Sequence, residues 1–267
     1  MKLSPASRMV GLRRLAALAA STFLAVAPAL QAEPPASQAG TGTIKGRLVW
    51  AAGPIPEPKV LVKKGDPNVK DAVCKADNIL SKDIEVDPAT KGVKDSFAYL
   101  VKPSGDYKAA EAALVEKTPE VVVDQVNCEY VPYATVVHTD QKLIFKSSDP
   151  VGHNVDFKPF SNTPVNQMLP PNGKMAYAIK KVERRPAAAV CSIHPWMKGW
   201  VFIVDHPFAV VTKADGSFEI SGVPAGTQQL VLWQSSKGYV TDGGNKGMPV
   251  TVKAGGTTDV GEIKITK

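Results

Sequence analysis

The sequence is poor in several residue types, and each scarcity narrows the field. Among 267 residues there are three cysteines, four histidines and 7% aromatic residues. The basic residues are scattered, with no Arg/Lys stripe, so the electrostatic footprint of a nucleic-acid binder is missing. The formal charge is +7, but four positive charges fall within residues 1–32, leaving a mild +3 for the remainder. No internal repeat is evident. The longest apolar run, Leu15–Leu30, contains Pro28 and is short of the ~20 residues that a membrane-spanning helix requires.

That run follows Lys2, Arg8, Arg13 and Arg14 and precedes the small residues Ala27 and Ala32, either of which suits cleavage. Residues 1–32 therefore read as a signal peptide, the rival reading being an uncleaved anchor. Arg13-Arg14 fits the twin-arginine route but lacks its usual polar and aromatic neighbours, which leaves Sec and twin-arginine export both open. With no cysteine near the cleavage site, a lipid anchor is not expected. The expectation is a periplasmic or secreted protein with no stable membrane insertion after cleavage. Residues 33–42, "EPPASQAGTG", read as a linker. About 235 residues then remain, enough for one large or two modest domains.

From residue 43 strand signals dominate. "TIKGRLVW", "KVLVKK", "EVVVDQ", "YATVVHT", "KLIFKS", "HNVDF", "MAYAIKKV", "AAAVC" and "GWVFIV" are short β-type runs separated by turns. "DIEVDPATKGVKDSFAYLVK" suggests two strands around a turn, and "DYKAAEAALVEK", 106–117, is the one clear helix. The fold class is all-β, an antiparallel sandwich or barrel.

Cys74, Cys128 and Cys191 make an odd count, so in an oxidising compartment one thiol is left over. The economical assignment pairs Cys74 with Cys128 and leaves Cys191 as a thiolate held by something else. Any other pairing of the three is the alternative.

The segment "AAAVCSIHPWMKGWVFIV", 187–204, suggests what holds it. Cys191, His194 and Met197 place a thiol, an imidazole and a thioether on one short loop. Upstream, "KLIFKSSDPVGHNVDF" offers His153 and Asn154 after a strand and a turn. Two imidazoles, one thiolate and a weak thioether form the donor set of type 1 copper, which suits both Cu(I) and Cu(II). Zinc fits less well, because structural zinc sites favour more thiolates and no thioether. No second cysteine sits on the loop for a binuclear copper-A site, and no His-x-His occurs for a trinuclear cluster. Met168 is a fallback axial donor, and His138 and His206 are expected to face solvent or cap turns.

The spacing Cys-x2-His-x2-Met with Pro195, together with His-Asn-Val upstream, resembles the cupredoxin family and is most like its amicyanin branch. The resemblance covers roughly 134–206. It implies a Greek-key β-sandwich in which His153, Cys191, His194 and Met197 bind one copper ion, with Asn154 tying the two ligand loops together. It also implies that the loop histidine reaches the surface, so that Pro195 and Trp196 form an apolar electron-transfer edge. The turn before His153 departs from the family in carrying Ser147 and Ser148 where an Asn is often found.

The last sixty residues differ in texture. "TKADGSFEI", with Asp215-Gly216 as a hairpin turn, followed by "GVPAG", resembles the carboxypeptidase-regulatory or transthyretin-like small β-sandwich. Its usual opening strands are similar to "GTIKGRLVWAAGPIPEPKVLV" near residues 43–63. The domain expectation is therefore a cupredoxin-like unit over 64–206 and a small sandwich over 207–267. Residues 43–63 either complete the sandwich or add edge strands to the middle unit. The functional expectation is a non-enzymatic single-electron carrier whose partner is a redox protein such as a c-type cytochrome or a periplasmic dehydrogenase. The alternative is a cell-envelope binding or interaction module in which copper is stored, sensed or structural.

Overall fold

The computed structural model describes residues 40–266. The signal-peptide reading of 1–32 lies outside the described residues, as does the linker up to residue 39. Thr41 and Gly42, assigned to that linker, already belong to the first strand. The described residues are all-β apart from one α-helix and two short 3-10 turns. Among the described residues no helix is long and apolar enough to cross a membrane.

Four sheets stack in layers, and the apolar pattern of the strands explains the order. The outermost sheet runs Lys174–Tyr177, Lys142–Ser147, Glu120–Val126, Glu129–Val131. Its inward side chains, among them Leu143, Phe145 and Val123, meet Val155, Phe157, Ala189, Val201 and Ile203 of the next sheet. That second sheet runs Val165–Leu169, His153–Phe157, Ala187–Val190, Lys198–Val204, Ala134–His138. These two sheets form the first sandwich.

The second sheet is apolar on its other face too. In Lys198–Val204, Val201 and Ile203 point into the first core, whereas Phe202 and Val204 enter a second one with Phe97, Tyr99, Tyr133, Val231 and Trp233. A strand covered on both faces reads as a continuous apolar run, and this is why "GWVFIV" does not alternate. The second core is aromatic, with Tyr99 and Phe202 centroids 4.6 Å apart and Trp200 and Trp233 4.8 Å apart, both edge-on. Edge-on packing suits the ring quadrupoles.

The third sheet holds Ala209–Val211, Phe97–Leu100 and Gly226–Gln234, with Gly238–Tyr239 and Met248–Val252 both pairing to the far side of Gly226–Gln234. Its strands also alternate between two cores. Phe97 and Tyr99 face the aromatic layer, while Ala98 and Leu100 face a third core with Ile44, Leu48, Phe218, Leu230 and Leu232. The fourth sheet closes that core with Ser217–Pro224, Thr41–Trp50 and Thr257–Ile265. The stretch 64–206 is thus not contiguous in the sheets: Phe97–Leu100 falls inside it yet pairs with two strands beyond residue 207. Thr41–Trp50 likewise pairs with the two strands Ser217–Pro224 and Thr257–Ile265.

The Asp215-Gly216 turn closes as a tight hairpin turn, with Gly216 N donating to Lys213 O and Lys213 N to Ser217 O, both at 2.9 Å, but the strands it joins then part. Its flanking strands join different sheets, Ala209–Val211 pairing with Phe97–Leu100 and Ser217–Pro224 with Thr41–Trp50. Asp215 Oδ1 accepts from Ser217 N at 3.0 Å, a local bond that stabilises a sharp corner. Gly216 sits at φ +76°, and a Cβ there would lie 2.2 Å from Leu48 O, so only glycine fits.

"DIEVDPATKGVKDSFAYLVK" gives an isolated bridge between Val86 and Val93 and the strand Phe97–Leu100. The helix Lys108–Lys117 forms from Ala, Glu, Leu and Lys, all strong helix formers, with Val115 the one β-branched residue, and buries no residue. His138 and His206 are buried rather than solvent-facing, and each caps a turn. Asp140 N donates to His138 Nδ1 at 3.1 Å and Phe208 N to His206 Nδ1 at 3.2 Å.

A small lobe completes the first sandwich. Val60–Val62 pairs with Ile79–Leu80, and the chain between them makes a 3-10 turn over Ala72–Lys75. Val62, Val69, Cys74 and Ile79 enter the first core, and a Cys74–Cys128 disulfide with a Cα–Cα distance of 5.1 Å ties the lobe to it.

Candidate metal centre

His153 opens its strand and pairs across to Leu169, while Cys191 follows directly after Val190, which pairs with both Asp156 and Lys198. The register therefore brings two residues separated by 38 positions to one end of one sheet. The loop after Cys191 folds back on itself. Met197 N donates to His194 O at 2.9 Å, and Cys191 N donates to Met197 O at 3.3 Å. Pro195, with its fixed φ, suits the turn between them.

His153 Nδ1 and His194 Nδ1 face each other at 2.9 Å. Cys191 Sγ lies 3.9 Å from the first and 3.8 Å from the second. His153, Cys191, His194 and Met197 are 0%, 1%, 3% and 1% exposed, so the donors sit out of water. Met197 packs in the same core as Cys191. Burial pushes the His153 imidazole below its ordinary value, favouring the neutral ring that a metal needs.

The outer nitrogens decide the tautomers. His153 Nε2 is 2.8 Å from Asp149 Oδ2, and His194 Nε2 is 2.8 Å from Asp71 Oδ2. A carboxylate only accepts, so each Nε2 carries a proton and each ring turns its Nδ1 inward. Two imidazole nitrogens facing each other at 2.9 Å either share a proton or hold a cation between or beside them. With a thiol alongside and Met197 buried in the same core, the donor set fits copper by its mixture of imidazole and sulfur.

Three further contacts hold the set. Asn154 N points at Cys191 Sγ at 3.4 Å, a donor that favours the thiolate. Asn154 Oδ1 accepts from Ser192 N at 2.6 Å, and Asn154 Nδ2 donates to Asn166 Oδ1 at 2.7 Å, so this side chain links both ligand segments. Tyr130 Oη donates to Val190 O at 3.1 Å, just before Cys191. Gln125 Nε2 donates to Asn154 O at 3.1 Å, just after His153.

Asp149 is the more heavily used of the two carboxylates that meet the imidazoles. Besides His153 it accepts from Asn127 N at 2.6 Å and from Cys128 N at 2.8 Å. Asn127 and Cys128 lie at φ +53° and +60°, an unfavourable region for side-chain-bearing residues. The carboxylate and the disulfide hold that turn in place. The segment "KSSDPV" has Ser147 buried and Ser148 Oγ donating to Asp124 Oδ2 at 2.8 Å.

The expected surface edge at His194 is not there. Instead of reaching solvent, its Nε2 meets Asp71 from the disulfide-tied lobe, and the ring is covered. Pro195 is exposed. Trp196 is half-buried, with its ring 5.2 Å from the His194 ring and its Nε1 donating to Cys128 O at 3.2 Å. Trp200 packs against the aromatic core. Met168 is 58% exposed on an edge strand and takes no part in the site.

Sequence reading missed Asp71, Asp149, Tyr130 and Gln125. Asp149 had a signal, standing four residues before His153 in "SDPVGH". Asp71, 123 residues from His194, had none.

No protein-family model matches this chain, and no curated protein matches it. Among solved structures it is similar over 32% of its length to amicyanin from Paracoccus versutus, with 19% identity, 81% of that chain covered and a TM-score of 0.28. A purple cupredoxin from Nitrosopumilus maritimus gives 17% identity over 32% of this chain and 98% of that one, with a TM-score of 0.27. A copper-containing nitrite reductase from Thermus scotoductus gives 19% identity and a TM-score of 0.29, and the match spans 32% of this chain and 22% of the reductase.

Proposed function

We propose that this is an exported type 1 copper protein that carries single electrons between redox partners, with copper held by His153, Cys191, His194 and Met197. One observation carries the reading. Two imidazoles, each with its outer nitrogen engaged by a carboxylate, turn their inner nitrogens toward each other at 2.9 Å with a thiol 3.8–3.9 Å from both. Copper bound there supplies a reversible one-electron couple.

The protein's own residues do the rest. Asp149 and Asp71 fix the two rings, Asn154 holds the ligand loops together, and the buried core around Met197 and Tyr130 excludes water. A set fixed before metal arrives changes little between oxidation states, which keeps reorganisation small.

With His194 covered, the surface beside the site is the collar of Pro195 and Trp196 together with Leu61 and Leu80, which line one cleft with Met197 and with the charged Lys82, Asp83, Glu129 and Lys198. Leu61 and Leu80 are 37% and 41% exposed. A small apolar collar suits brief docking of a redox protein such as a c-type cytochrome or a periplasmic dehydrogenase. The third and fourth sheets form, in this proposal, a transthyretin-like sandwich that braces the metal-binding one. The role is non-catalytic and the location periplasmic or secreted.

The test is voltammetry of the copper-loaded protein. A reversible one-electron wave at one copper per chain is expected; no wave, or a wave that survives Cys191→Ser unchanged, overturns the reading.

A further inference from the structure

Resting on that reading, we infer that Asp71 is a positioning residue for the metal site. It fixes the His194 tautomer and tunes the redox couple, and the Cys74–Cys128 disulfide is what keeps it in place. His194 side chain is 4% exposed, and its Nε2 has Asp71 Oδ2 at 2.8 Å as its hydrogen-bond partner. Around the ring stand Trp196, His153, Cys191 and the two disulfide cysteines. None of these offers Nε2 an acceptor comparable to the carboxylate.

Asp71 itself is 37% exposed and does not belong to the sandwich that carries the donors. It stands on the lobe that Cys74 ties down. Asp71 O accepts from Cys74 N at 3.1 Å, so the carboxylate stands three positions along the chain from the tether. The other end of the tether, Cys128, donates its N–H to Asp149, the carboxylate on the second imidazole. One disulfide therefore anchors both carboxylates that aim the two rings.

The chemistry sets a direction. A carboxylate accepting from Nε2–H makes the ring a stronger donor through Nδ1, and its charge favours the higher oxidation state of the bound ion. Removing such a partner typically costs 10–100-fold in metal affinity. Cu(II) gains more from basicity and negative charge than Cu(I), so the loss falls mainly on Cu(II), and each tenfold loss raises the potential by about 59 mV for one electron.

Three variants separate the contributions. Asp71→Asn keeps an oxygen acceptor but removes the charge, Asp71→Ala removes both, and Cys74→Ala/Cys128→Ala frees the lobe. The first readout needs no metal: ¹⁵N chemical shifts of the His194 ring in metal-free protein. Wild type and Asp71→Asn are expected to hold the proton on Nε2, whereas Asp71→Ala and the double cysteine variant show mixed tautomers. The second readout is the midpoint potential of the copper form, expected to rise by about 59 mV or more in Asp71→Asn.

A His194 tautomer unchanged in Asp71→Ala overturns the inference. So does a potential unchanged in Asp71→Asn while wild type shows its one-electron wave. Failure of the copper reading looks different, since wild type itself would then give no wave while the metal-free tautomer shift in Asp71→Ala persists. A double cysteine variant with the wild-type tautomer removes the disulfide from the account.

Discussion

Replacing Asp149 by alanine removes one buried acceptor from three donors at once. The carboxylate is 2% exposed and accepts from three donors: Asn127 N at 2.6 Å, Cys128 N at 2.8 Å and His153 Nε2 at 2.8 Å. Hydrogen bonds to charged groups contribute roughly 1.5–3 kcal/mol each, and a buried donor left unpaired costs about 1–3 kcal/mol. Removing the shared acceptor strands two backbone N–H groups in a left-handed turn and one ring N–H in the core. Because the three losses share one site they do not add fully. The expected destabilisation is about 4 kcal/mol.

Asp149→Asn provides the control, since it keeps one oxygen but turns an N–H₂ group toward a donor, for about 2–3 kcal/mol. The assay is urea unfolding of the metal-free protein followed by tryptophan fluorescence, where the midpoint falls and the slope stays constant. A loss below about 1 kcal/mol in the alanine variant would refute the reasoning, because Asp149 would then not be the shared acceptor.

Other perturbations follow the same physics. A Cβ added at Gly199 would stand 2.8 Å from Tyr130 Cβ, so Gly199→Ala should cost about 1–3 kcal/mol by overpacking and shift the spectrum of the copper form; an unperturbed variant would show that Tyr130 can move aside. Glu183 is buried and accepts from Phe160 N, Ser161 N and Asn162 N at 2.8–3.1 Å, so Glu183→Ala should cost about 3 kcal/mol in the same urea assay. Opening the disulfide, which closes a separation of 54 residues, should cost about 4 kcal/mol on the loop-entropy scale, read as a lowered midpoint in Cys74→Ala/Cys128→Ala. Burial pushes His206 down to about 4, with Asp205 raising and His138 lowering it further. The unfolded chain then binds one more proton between about pH 4 and 6.5, so this stability is complete above 6.5 and is lost as pH falls toward 4, by up to about 3 kcal/mol. Metal-free His206→Gln should show a correspondingly flatter pH dependence than wild type.

The candidate donors were legible because their signal is local. Cys191, His194 and Met197 fall within seven residues between two strands, and His153 stands at the start of "HNVDF". The all-β character was legible from alternation and turn residues for the same reason. What was not legible is non-local. "GWVFIV" announces burial on both faces without saying that the second face meets Phe97, Tyr99 and Trp233. Phe97–Leu100 alternates aromatic and aliphatic residues, a pattern that only makes sense once two different cores flank it. Asp215-Gly216 specifies a tight turn, while the partners of the flanking strands decide whether those strands stay paired or part. The covered His194 edge depends on Asp71 arriving from a lobe placed by a disulfide, and no spacing rule connects those positions.

The central claim is that Cys191 is a metal-bound thiolate, and the visible absorption spectrum tests it most directly. Purified wild-type protein titrated with Cu(II) should develop an intense blue thiolate-to-copper band that saturates at one ion per chain, and Cys191→Ser should show none. A pale sample with no such band, or a band of equal intensity in Cys191→Ser, would contradict the account.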